Sequence, residues 1–166
     1  MVSRSGFIRR MVVGTECCAS YQTSAGNLYI ISDAEAITAI LYASPAGQCL
    51  KMQSTALTDI AARQIQEYLR GARTRFDLPL KPAGTAFQQE LWAQIMNIPY
   101  GETRNYRELA ISAGNVRAVR AVAQVVNRNP IALVIPCHRV LGCNGKLINY
   151  PGGLKIKEQL LLLEKS

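Results

Sequence analysis

The sequence predicts an α+β protein in two parts: a small α+β unit over residues 1–80, and a mainly helical unit over 81–166 that carries a helix-turn-helix. Three observations predict it. Two runs rich in β-branched and aromatic residues, Leu28–Ile31 and Ile37–Tyr42, stand close together in the first half. From Phe87 onward the apolar residues recur mainly at helical spacing. Between the two patterns, Pro79, Pro82 and Gly84 interrupt regular structure and suit a connection between domains.

Taken in order, Gly26-Asn27 is a turn signal ahead of the first run, and Ser32-Asp33-Ala34-Glu35 has the composition of a hairpin connection. Thr58 is the expected N-cap of a helix that places Ile60, Ala61, Ile65, Tyr68 and Leu69 on one face and ends before Gly71. Thr85-x-x-Gln88 forms a capping-box pattern for the next helix, whose Phe87, Leu91, Trp92, Ile95 and Met96 are expected core. It stops before Pro99 and Gly101. Two short helices, Tyr106 to about Ala113 and Val116 to about Arg128, flank Gly114-Asn115 with the spacing of a helix-turn-helix. In the second, Val116, Val119, Val122 and Val126 are expected to pack inward. Ile131–Ile135, bounded by Pro130 and Pro136, reads as a buried strand or extended segment, and Leu154–Leu163 as a terminal helix after a glycine-bearing loop.

The chain has 166 residues, 49% of them apolar and 18% charged, which suits a folded protein with a real core and excludes a disordered one. No apolar run is long enough to span a bilayer, and the start of the chain, with Arg4, Arg9 and Arg10 before only Met11–Val13, lacks a secretory core. A cytoplasmic protein is expected, or a nuclear one in a eukaryote. Five cysteines without paired spacing fit a reduced compartment, and with His138 as the sole histidine no metal site is expected. The net charge is +8, and the segment from Leu109 to Lys157 carries +7 of it, having seven basic residues and no Asp or Glu. Such a one-sign block suits a nucleic-acid backbone.

Chemistry concentrates in Ile135-Pro136-Cys137-His138-Arg139-Val140. A cysteine attacks as thiolate and needs a nearby base or cation to ionise near neutral pH. The one histidine is its neighbour, although adjacent residues on an extended chain point to opposite faces, so a turn or a bridging water is required. Glu164 is a candidate to orient the imidazole. From this dipeptide alone, a structural cysteine beside a hydrogen-bonded histidine remains open.

The wider pattern resembles the O6-alkylguanine-DNA alkyltransferases from about Tyr21 to Glu164. It lies in Phe87-Gln88-x-x-Leu91-Trp92, Ile98-Pro99-Tyr100-Gly101-Glu102-Thr103, Tyr106-x-x-Leu109-Ala110, Arg117-Ala118-Val119-Arg120-Ala121-Val122, Asn129-Pro130, the cysteine motif, and Tyr150-x-Gly152-Gly153-Leu154-x-x-Lys157. The resemblance implies a ribonuclease-H-like N-terminal domain and a winged-helix-like C-terminal one. It implies stoichiometric, irreversible transfer of an alkyl group from guanine O6, and from thymine O4, to Cys137, with no cofactor. His138 would take the thiol proton through a water and Glu164 would hold the imidazole. Tyr106 would hydrogen-bond the flipped guanine, and Arg120 would enter the duplex in its place. Arg107, Arg117, Ala118, Val119 and Lys146 would face DNA through the minor groove. Val126, Asn129, Val140, Leu147, Tyr150, Pro151 and Gly152 would line the pocket, the carbonyls of Cys137 and Val140 accepting from the guanine amino group and Asn129 bracing the turn. The implied partner is double-stranded DNA containing O6-alkylguanine, the protein being a monomer in solution, able to assemble cooperatively on DNA.

One position departs from the pattern. Where part of the family offers a backbone N–H to guanine O6, this chain has Pro151, which has none. Tyr106, or a donor such as Gly152, would then carry that contact. Two other readings are a lesion sensor or helix-turn-helix binding module, against which Cys137 argues, and a thiol hydrolase, for which no oxyanion-hole pattern is present.

Overall fold

A computed structural model describes residues 16–45 and 51–166 of the chain. Cys49 and the N-terminal stretch read for a leader lie outside the described residues. Two compact units divide between Ala83 and Gly84. No helix among the described residues is long and apolar enough to cross a membrane.

The first unit contains β1 (Cys17–Thr23), β2 (Gly26–Ser32), β3 (Ile37–Leu41), β4 (Lys51–Met52) and α1 (Ala56–Leu69). The sheet order is β3-β2-β1-β4, with β1–β3 antiparallel and β4 parallel to β1. The β1–β2 register pairs Thr23 with Gly26, so the turn is Ser24-Ala25 and not Gly26-Asn27 as the sequence suggests. Gly26 sits at φ 104, a conformation that favours glycine. Between β2 and β3 the expected connection is held by the Asp33 carboxylate, which accepts from the N–H groups of Glu35 and Ala36 at 2.8 Å each.

The N-cap of α1 is Thr55 rather than Thr58. Thr55 Oγ1 accepts from Thr58 N, and Thr58 Oγ1 accepts from Thr55 N, so Thr58 is the third residue of a reciprocal capping box. Ala61, Ala62, Ile65 and Tyr68 form the buried face, whereas Ile60 is partly exposed. Cys18, Leu28, Ile30, Ile31, Ile37 and Ile40 are fully buried apolar residues of this sheet.

The second unit comprises α2 (Ala86–Met96), β5 (Arg104–Asn105), α3 (Tyr106–Ser112), α4 (Val119–Asn127), β6 (Val140–Leu141) and α5 (Leu154–Leu163). Thr85 and Gln88 cap α2 as the sequence indicates, and Trp92 on that helix is fully buried, donating to Val125 O of α4 at 3.1 Å. Phe87 and Met96, expected in the core, are 39% and 40% exposed. They lie off the stripe formed by Leu91, Trp92 and Ile95, which with Gln88 makes the buried face of this short helix.

The two helices of the helix-turn-helix are joined by a Schellman turn. Gly114 N–H donates to Ile111 O and Asn115 N–H to Ala110 O, with Gly114 at φ 78. Asn115 then accepts from Arg117 N at 3.0 Å, starting a 3₁₀ turn (Val116–Ala118) that leads into α4. Val122, Val125 and Val126 are buried, while Val116, expected to pack inward, is exposed because it belongs to that turn. Ile131–Ile135 is buried but is not a regular strand: Leu133 has φ 70, and Ile135 N–H donates to Ile131 O across a tight turn.

Candidate active site

Short local devices bring the chemistry-bearing residues of the second unit together. Asn129 holds the turn before the cysteine, its Nδ2 donating to Ile135 O at 2.8 Å and its Oδ1 accepting from Ile131 N at 2.9 Å. Pro136, at φ −80 and ψ 62, is the centre of an inverse γ-turn in which Cys137 N–H donates to Ile135 O. Cys137–Arg139 is then a 3₁₀ turn rather than extended chain, which removes the geometric objection to placing Cys137 and His138 in one site. Directly after it, β6 pairs in parallel with β5, Arg104 opposite Val140 and Asn105 opposite Leu141. Asn105 is also the N-cap of α3, so this two-residue ladder sets Tyr106 beside the cysteine turn.

Cys137 is 2% exposed. Burial pushes its thiol above the ordinary value, while a hydrogen bond from Asn129 and the charge of Lys157 pull the other way. The fully buried His138 places Nε2 2.9 Å from Glu164 Oε1. Burial pulls its pKa below the ordinary 6.5, with Glu164 opposing. Glu164 caps the C-terminus of α5 and also accepts from Arg139 Nε and Nη2 and, at 3.1 Å, from Gly101 N. Gly101 is at φ 79, and a Cβ there would stand 2.9 Å from Glu164 O. Arg139 Nη1 donates to Ile98 O at 2.6 Å and its guanidinium lies over the Tyr100 ring. The Ile98–Glu102 motif is therefore a clasp around Glu164 and Arg139.

Tyr106 is buried, and its hydroxyl has no hydrogen-bond partner among the described residues. Burial, then the nearby Cys137 charge, raises its pKa. Tyr150 presents its ring edge-on to His138 at 6.2 Å between centroids. Gly153 N–H donates to Tyr150 O, making Pro151 and Gly152 the corner of a turn. The Cys137 carbonyl accepts from Val140 N–H and the Val140 carbonyl from Lys157 Nζ. Val126 is buried and Leu147, Pro151 and Gly152 are partly exposed.

A family model for the ribonuclease-like domain of 6-O-methylguanine DNA methyltransferase matches residues 17–82, and one for its DNA-binding domain matches 86–166. A Haemophilus influenzae methylated-DNA–protein-cysteine methyltransferase is 41% identical over 150 residues, 87% of this chain and 84% of that protein. The chain belongs to the O6-methylguanine DNA methyltransferase family. A Methanosarcina barkeri methyltransferase of the same description is 56% identical over 106 residues, covering 64% of this chain and 67% of the relative. The crystal structure of Mycobacterium tuberculosis OGT in complex with DNA matches with TM-score 0.83 and 36% identity over 90% of this chain and 92% of that one.

In this methyltransferase the basic block does not act as one surface. Arg117, Arg120, Arg128, Lys146 and Lys155 are exposed, as is Arg107 on α3, whereas Arg139 and Lys157 are buried and serve internal acceptors. Ala118 and Val119 are half-buried between Arg117 and Arg120. Sequence reasoning counted Arg139 and Lys157 with the basic surface block and gave Gly101 no part beyond ending a helix. For Lys157 a signal existed: it lies three residues before Leu160 and seven before Glu164, on the buried stripe of α5.

Because His138 is the only histidine, its titration is readable without assignment. Imidazole NMR is expected to give a midpoint below 6.5, the folded protein binding its proton less readily than the unfolded chain. Stability then falls as pH drops below the unfolded histidine value and levels off below the folded one. A midpoint above 6.5 would mean that the Glu164 carboxylate outweighs burial.

Proposed function

We propose that the chain repairs DNA by direct reversal, taking the alkyl group from O6 of guanine in duplex DNA onto Cys137, once per molecule. The observation that carries this reading is a buried thiol, next to a His138–Glu164 pair and an unpartnered tyrosine hydroxyl, on the same unit as an arginine-bearing helix-turn-helix. A thiol 2% exposed cannot reach an atom inside a base stack, so the lesion must be extruded into the protein.

Cys137 gives its proton to His138 through a water, and the neutral imidazole is suited to receive it. Glu164 fixes the ring and compensates the charge that forms. The thiolate sulfur bonds to the alkyl carbon as the carbon–O6 bond breaks, and the electron pair stays on guanine. Tyr106 donates to the departing base. The thioether is stable in water, so the protein is spent after one transfer, and the same displacement extends to thymine O4. Arg120 fills the place of the extruded nucleotide, and Arg107, Arg117 and Lys146 hold the phosphates. The protein acts on DNA without a cofactor and as a monomer.

The deciding experiment is mass spectrometry after incubation with an O6-methylguanine duplex. One added methyl group on Cys137, absent in Cys137→Ser, supports transfer; binding without mass change would make the chain a sensor, and repeated turnover would make it a hydrolase. Arg120→Ala is expected to slow repair in duplex DNA far more than transfer from free O6-benzylguanine, since only the duplex requires extrusion. Equal losses would assign Arg120 to the pocket.

Pro151 has no N–H to offer the leaving oxygen, which throws more of the leaving-group stabilisation onto Tyr106. Tyr106→Phe should therefore slow transfer by about 100-fold, the scale of losing one transition-state donor. An unchanged rate would point to another donor, such as the Gly152 N–H.

A further inference from the structure

Lys157 is the one lysine among the described residues with no accessible surface, and the proposed transfer makes no use of it. Its Nζ donates to Val140 O at 2.7 Å and to Ile148 O at 2.8 Å. These two carbonyls stand on the outgoing and returning legs of the loop that follows the cysteine turn, so the ammonium staples the loop closed at its base. Neither acceptor carries a charge. A fully buried cation held only by neutral carbonyls is costly, and a glutamine at this position could donate hydrogen bonds without that cost. The charge itself calls for a use, and the Val140 whose carbonyl holds the ammonium also donates its N–H to the Cys137 carbonyl, which brings the Cys137 sulfur into the field of that charge.

We propose that Lys157 is a positioning residue whose positive charge, held at the base of the active-site loop, stabilises the Cys137 thiolate. This rests on the reading of Cys137 as the alkyl acceptor. Before the thiol proton is transferred, no other cation in the described neighbourhood is free to face the sulfur. Burial disfavours the charged form of His138, which becomes cationic only by taking the thiol proton, the Arg139 guanidinium is taken up by Glu164, and the Tyr106 hydroxyl bears no charge at neutral pH. Glu164, on the helix that carries Lys157, is likewise committed to His138, Arg139 and Gly101. No new proton transfer is required, because Lys157 remains protonated while the thiol proton goes to His138.

Burial lowers the Lys157 pKa to about 8, so its charge is present below that pH and lost above it. The competent pairing of ammonium with thiolate is therefore confined to a window, depleted at low pH by protonation of the sulfur and at high pH by deprotonation of the lysine. The two groups titrate as a pair.

The test reads the thiolate directly, by its ultraviolet absorbance as pH is raised, in the full chain without DNA and with Cys137→Ser as the blank. Lys157→Gln keeps donors for the carbonyls and removes the charge. The Cys137 titration is expected to move up by roughly one pH unit or more, leaving about tenfold less thiolate at neutral pH. Lys157→Arg, which keeps the charge, should stay near the unaltered protein. A folded Lys157→Gln that titrates like the unaltered protein would overturn the proposal. If neither variant folds, the unaltered protein decides: its single-turnover rate should pass through a maximum with rising pH, and a rate that keeps climbing beyond the loss of the lysine charge would overturn it. Loss of methyl transfer with an unchanged thiol titration would bear on the proposed function instead.

Discussion

The carboxylate of Glu164 is almost wholly buried, and four donors meet it: the Gly101 amide, the His138 ring nitrogen, and two nitrogens of Arg139. An ionised carboxylate taken out of water without such partners would cost several kcal/mol, so each donor has to be in place for the others to be tolerated. Those donors come from the loop after α2 and from the cysteine turn, while the carboxylate ends α5. One ion pair thus ties three separate stretches of chain around the thiol. Tyr100 extends the tie by donating to Leu163 O at 3.2 Å.

The same constraint explains why the helix-turn-helix and the thiol sit on one unit. The β5–β6 ladder fixes the start of α3 against the residue that follows Arg139, and Trp92 pins α2 to α4. A residue at the tip of α4 and the sulfur of Cys137 therefore belong to one packed body, as the proposed extrusion of a base requires. Buried polar networks of this kind confer geometry more than stability. The displacement proposed for Cys137 needs that geometry, because nucleophile, carbon and leaving oxygen must align.

Features with a local cause were legible in the sequence. The Thr85-Gln88 box, the Gly114 turn and the β2–β3 pair follow from side chains within a few residues of one another. The Thr55 cap of α1 was read three residues late because both members of its box are threonines. The first strand, Cys17–Thr23, carried no β-branched run to announce it, and two-residue strands such as β5 and β6 are too short for any periodicity. Ile131–Ile135 has the composition of a strand but is bent by the Asn129 side chain, a contact that composition does not register. At the site, Cys137 and His138 announced themselves by chemical type. Arg139 and Lys157 did not, since a basic residue in a basic block reads as surface until its acceptors are seen.

The most direct test of the Glu164 tie is a double-mutant cycle on Arg139→Met and Glu164→Gln, followed by denaturant unfolding. Each single change strands a buried partner and should destabilise by about 3–5 kcal/mol. The double variant should lose clearly less than the sum, by about 2 kcal/mol or more, the signature of a strongly coupled pair. Losses that simply add would show that Arg139 and Glu164 act independently, and that the carboxylate does not organise the site.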